Sequence, residues 1–133
     1  MLMGVGNCPL LLVEDDPELR HALAELLAYE GYAVALVADG SEALAYLRSH
    51  ARPGLILLDL ELPELDGRSV IHRITGDPEL ASIPVVAMSI DGVAHAEIAA
   101  LGVKALLQKP VFVETFLATV RECYDPDLST PPD

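Results

Sequence analysis

Two apolar runs in this chain end on acidic residues: Leu10-Leu11-Leu12-Val13 on Glu14-Asp15-Asp16, and Leu55-Ile56-Leu57-Leu58 on Asp59. A carboxylate that closes a buried run, just before a loop marked by Pro63 and Asp66-Gly67, is aimed out of the packed interior. Neighbouring carboxylates repel and raise each other's pKa unless a cation lies between them. Mg2+ is suited to that place, because it takes oxygen ligands: one or two carboxylates, waters and phosphate oxygens. A carboxylate held there and open to solvent can attack an activated phosphoryl group. The transferred group carries its charge on oxygens that need hydroxyl and ammonium partners. Later apolar runs deliver both, one ending on Ser89 and another followed by Lys109-Pro110.

These groups meet only if the chain brings its strand ends together. Strands are expected at 10–13, 33–37, 55–58, 84–88 and 105–107, separated by helical patterns. Asp16 and Pro17 form an N-cap and first-turn pair for a helix striped by Leu19, Leu23, Leu26 and Leu27 and stopped at Gly31. Asp39-Gly40-Ser41-Glu42 opens a second helix carrying Leu44 and Leu47, and Asp66-Gly67 a third with Val70, Ile71 and Ile74 inward. A fourth runs through Ile98 and Leu101 to Gly102, and a fifth buries Val113, Leu117, Val120 and Tyr124. Alternating strands and helices with wholly apolar strands predict an α/β fold, a doubly wound parallel sheet covered on both faces. All carboxyl ends of such a sheet share one edge, and ligands bind there.

The 133 residues, 52% of them hydrophobic, suffice for one domain with one core. The net charge of −13 excludes a nucleic-acid surface and disfavours an anionic membrane. No apolar stretch approaches the roughly 20 residues that span a bilayer, and residues 1–7 lack a basic leader pattern, so a cytoplasmic protein is expected. Cys8 and Cys123 have neither metal nor redox spacing, and His21, His50, His72 and His95 are scattered. No Gly-rich phosphate loop follows the first strand, and no serine has the setting of a nucleophile elbow.

Taken in order, Glu14-Asp15, Asp59 with Pro63 and Asp66-Gly67, Ser89 and Lys109-Pro110 resemble the CheY-like receiver domain of bacterial two-component response regulators. The likeness covers about residues 9–124, leaving 1–8 as an N-terminal extension and 125–133 as a disordered tail or truncated linker. It implies a flavodoxin-like sheet in the order 2-1-3-4-5 with five helices. It implies Asp59 as phosphoacceptor, Asp15 as a direct Mg2+ ligand, Glu14 assisting through water and the Glu61 backbone carbonyl as a further ligand. Ser89 and Lys109 would hold the phosphoryl group, and the Lys109–Pro110 bond would be cis. The donor would be a sensor histidine kinase or a histidine phosphotransfer protein, with self-dephosphorylation by water rather than turnover of a substrate. No DNA-binding segment is visible after residue 124, so the output would be a downstream protein target or a missing output domain. The fourth helix, fifth strand and fifth helix would offer a face for a homodimer.

Three residues depart from the family pattern. Ile90 stands where a small residue borders access to the acceptor, and Leu106 where a switching Tyr or Phe is usual. Glu61 puts a flexible acid near the route of attacking water. Ile90 and Leu106 motivate an alternative, a pseudo-receiver that acts as a phosphorylation-independent interaction module. Another is an aspartate-nucleophile phosphohydrolase, with Glu61 as an imperfect general acid and no cap insertion.

Overall fold

Even where every strand residue is apolar, the two-residue period of a strand decides which face each side chain covers. The computed structural model describes residues 8–90, 97 and 100–126. In β1 (Leu10–Val13), Leu11 and Val13 join one core, and Leu10 and Leu12 the other. The same division separates Ile56 and Leu58 from Leu55 and Leu57 in β3 (Leu55–Asp59). In β4 (Val85–Ser89) it separates Val85 and Ala87 from Val86 and Met88. All three strands are buried throughout, whereas β2 (Val34–Val37) and β5 (Ala105–Gln108) are partly open because they lie at the edges. The sheet order is β2-β1-β3-β4-β5, all pairs parallel.

Helices α1 (Pro17–Tyr29) and α4 (Val113–Cys123) cover one face with Leu23, Leu27, Phe116 and Val120. Helices α2 (Gly40–Ser49) and α3 (Gly67–Thr75) cover the other with Leu44, Leu47, Val70, Ile71 and Ile74. Each such side chain, fully buried, contributes about 1.5–3 kcal/mol. Starts of three helices are capped as the sequence suggests. Asp16 accepts from Glu18 N–H, Asp39 from Glu42 N–H and Asp66 from Ser69 N–H. Glu42 also reaches back to Ala38 N–H at 2.8 Å, and Gly31, with φ 98°, ends α1.

The last helix differs from expectation. Val113 is 50% exposed, and Phe116, not part of the expected stripe, is fully buried. α4 begins at the carboxyl edge, so its first turn stands past the sheet, and the periodicity cannot show where the covered length begins. Tyr124 follows the helix as its C-cap, packs edge-on against Tyr32 at 5.1 Å and donates its hydroxyl proton to the Cys8 carbonyl. Of the expected fourth helix, Ile98 lies outside the described residues, as do His95, 1–7 and 127–133; Glu97, Ala100 and Leu101 are helical.

One glycine is essential to the site's floor. A Cβ on Gly67 would come within 2.5 Å of the Asp59 carbonyl oxygen and 2.6 Å of Leu60 Cα. Both are backbone atoms, so neither yields without moving β3. Gly67→Ala is expected to cost about 2 kcal/mol, within the range for overpacking. Urea unfolding followed by far-ultraviolet circular dichroism measures it; an unchanged midpoint would contradict the close packing.

Candidate functional site

Strand register assembles the site. Val13 pairs with Leu58, so Glu14, one residue on, lies level with Asp59; Asp59 in turn pairs with Met88, directly before Ser89. The ladder extends past β3 through Leu60 N–H to the Met88 carbonyl at 2.8 Å, and past β5 through Lys109 N–H to the Ser89 carbonyl at 2.8 Å. The Lys109–Pro110 peptide is cis, as the family resemblance implies. Arg20 fixes the turn after β1 by donating to the carbonyls of Glu14 at 2.8 Å and Asp15 at 3.4 Å.

The polar groups here are buried almost completely: Glu14 is 1% exposed, Asp59 2% and Ser89 0%. Lys109 Nζ lies 3.0 Å from Glu14 Oε1 and 3.2 Å from Asp59 Oδ2, bridging the two carboxylates. Asp59 Oδ1 accepts the Glu61 N–H at 2.9 Å, and Glu14 Oε2 the Asp16 N–H at 3.2 Å. Burial pushes the Glu14 carboxyl up to about 7, against the Lys109 and Asp16 bonds that lower it. Burial likewise raises Asp59, opposed by the Glu61 N–H and Lys109. For Lys109 burial acts downward, but the bond to Glu14 and the attraction of Asp59 carry it above the ordinary lysine value. One ammonium therefore faces more negative charge than it can balance.

Glu14, Asp15 and Asp59 each present an oxygen, and the three lie within 4.8 Å of one another. Three hard oxygens beside an excess of buried negative charge fit a small divalent cation. The sequence reading placed these residues together, along with Ser89 and Lys109. Ile90 points outward, 61% exposed, and Leu106 is partly buried against the core at the register of Ala87. The Glu61 side chain, expected near the route of attacking water, instead reaches across to β4. Its Oε2 accepts the Ser89 hydroxyl at 2.5 Å and its Oε1 the Ile90 N–H at 3.0 Å. The role of Arg20 was unread; a cation within the first helical turn after an acidic strand end was its only signal.

A parallel 2-1-3-4-5 sheet with a buried carboxylate cluster at its carboxyl edge defines a doubly wound ligand-binding architecture. The sequence pattern described as the response regulator receiver domain matches residues 10–121, and the chain belongs to that family of two-component signalling domains. It is 34% identical over 113 residues to the polar-differentiation response regulator DivK of Brucella anthropi, covering 84% of this chain and 91% of that protein. It spans about half, 48%, of other relatives such as the response regulator MprA of Mycolicibacterium vanbaalenii, at 34% identity over 84% of this chain. Among solved structures, the phosphorylated cyanobacterial phytochrome response regulator RcpA superposes with a TM-score of 0.74 at 35% identity, over 88% of this chain and 91% of that one. The receiver domain of the Pseudomonas aeruginosa sensor histidine kinase PA1611, solved with magnesium in its active-site cleft, gives 0.79 at 28% identity over 89% and 98%. Among the described residues, no helix is long and apolar enough to cross a membrane.

Proposed function

We propose that Asp59 accepts a phosphoryl group from the phosphohistidine of a sensor histidine kinase or histidine phosphotransfer protein. The observation that carries this reading is Asp59 itself: buried at the sheet's carboxyl edge, 3.2 Å from an ammonium and clustered with two further carboxylates. Asp15 and Asp59, with Glu14 through water and the Glu61 backbone carbonyl, would hold Mg2+. The bound ion would neutralise charge on the phosphoryl oxygens. An Asp59 oxygen forms a bond to phosphorus as the P–N bond breaks, and the electron pair stays on the ring nitrogen. Lys109 and Ser89 orient the transferred group. Water later attacks phosphorus, the bond to Asp59 breaks, and phosphate leaves. Leu106 would answer phosphorylation by aliphatic repacking, and Ile90 would border the entrance. Output would pass to a downstream protein or a further domain.

Intact-mass measurement after incubation with acetyl phosphate tests the reading. One added phosphoryl group is expected with Mg2+ and none without it. Mg2+ binding with no mass gain would instead favour the pseudo-receiver, a reading supported by the Glu61 contacts to Ser89 and Ile90.

Cation binding should also be linked to protons. Folding raises the Glu14 pKa from 4.5 to about 7, so between those values the folded state binds more protons than the unfolded one. The site's contribution to metal-free stability therefore falls as pH rises through that window. A cation that favours ionised Glu14 must release its proton. Calorimetric Mg2+ titrations in buffers of different ionisation enthalpy should show proton release at pH 6 that fades by pH 8. Equal release at both would remove Glu14 from the linkage.

A further inference from the structure

We infer that the Glu61 carboxylate is a built-in occupant of the phosphoryl subsite, holding the two donors that phosphorylated Asp59 would need, so that it must swing away before a phosphoryl group can be bound there. The inference rests on the reading of Asp59 as phosphoacceptor. Two bonds made by one side chain carry it: Ser89 Oγ to Glu61 Oε2 at 2.5 Å, and Ile90 N–H to Glu61 Oε1 at 3.0 Å. A carboxylate that spreads its two oxygens over a hydroxyl and a backbone amide does what two oxygens of a phosphoryl anion would do there. The Glu61 N–H meanwhile donates to Asp59 Oδ1 at 2.9 Å, so one residue reaches from the acceptor to the donors opposite it.

The occupancy is competitive for a simple reason. A serine hydroxyl has one proton to donate and a backbone amide has one. Neither proton can serve Glu61 and an incoming phosphoryl oxygen fully at once. The charges oppose as well, because a phosphoryl donor arrives as an anion and meets the Glu61 carboxylate. Ser89 is fully buried, whereas Glu61 is exposed, so the carboxylate can swing into water without disturbing the core. The competent state is then the fraction of molecules with Glu61 outward, and the observed labelling rate scales with that fraction.

The test labels the parent, Glu61→Gln and Glu61→Ala with acetyl phosphate and Mg2+, read by intact mass over time. In each, an Asp59 oxygen bonds to phosphorus while the P–O bond to acetate breaks, and acetate leaves with the electron pair. The Ala variant should label at least about tenfold faster than the parent, the equivalent of releasing one charge-assisted hydrogen bond. The Gln variant, which is uncharged and keeps a single acceptor oxygen, should fall between. In phosphate-free, metal-free protein, hydrogen exchange at the Ile90 amide should be slow in the parent and faster in the Ala variant. A merely structural Glu61 would not raise the labelling rate. Parent labelling with an Ala variant that labels no faster overturns the occupancy and leaves Asp59 as acceptor. No labelling of any variant overturns both. An Ile90 amide that exchanges equally in parent and Ala variant also overturns the occupancy.

Discussion

Asp59→Asn is expected to take up no phosphoryl group from acetyl phosphate and, without Mg2+, to unfold at higher urea concentration than the parent. The first effect is chemical. A carboxamide oxygen is a poor nucleophile, and the other carboxylates of the cluster, Glu14 and Asp15, do not share the Asp59 setting beside both Lys109 and the Glu61 N–H. Loss of at least about a hundredfold in rate follows when the nucleophile itself is removed. The second effect is electrostatic. Asp59 is buried and its pKa is raised, chiefly by that burial, so its ionised form opposes folding at neutral pH. Asparagine keeps the shape and an acceptor for the Glu61 N–H but discards the charge. The gain should be about 1 kcal/mol at pH 8 and should shrink as the pH falls and Asp59 in the parent takes up its proton. Labelling of the Asn variant would assign the phosphoryl group to another residue. A stability unchanged at every pH would mean that Lys109 fully balances the cluster.

Much of the architecture was legible because strand and helix periods, caps and glycine stops agree with one another. Asp16, Asp39 and Asp66 each cap the helix that the sequence assigns them, and the apolar strands predict a sheet covered on both faces. The site was legible for the same reason: in a parallel sheet, residues that follow strands share an edge whatever their separation along the chain. Glu14 and Lys109 lie 95 residues apart and meet at 3.0 Å. What stayed hidden depends on side-chain torsions and on length along an axis. The angle of Val113 on its helix was right, but not its depth. The three torsions of Glu61 leave its carboxylate free to face water, the acceptor or β4, and spacing alone does not choose. Its contact with Ser89 and Ile90 is chosen by donors that only the folded register brings within reach.

Lys109→Met should separate the role of charge from that of packing. Methionine retains most of the apolar stem while removing the ammonium that touches both Glu14 and Asp59. Stripping the partner from a buried ion pair costs about 3–5 kcal/mol when the remaining charge has no escape. Here it has one, since both carboxylates already carry raised pKa values and can take up protons. At pH 8 that escape is uphill, and metal-free Lys109→Met should be destabilised by about 3 kcal/mol. At pH 5.5 the carboxylates protonate more readily, so the loss should fall by more than half. Mg2+ at pH 8 should restore more stability to the variant than to the parent, because the cation supplies the positive charge the variant lacks. Urea titrations at both pH values, with and without Mg2+, read all three effects. Equal losses at pH 8 and 5.5, untouched by Mg2+, would mean that Lys109 acts through its stem and that the cluster does not depend on its ammonium.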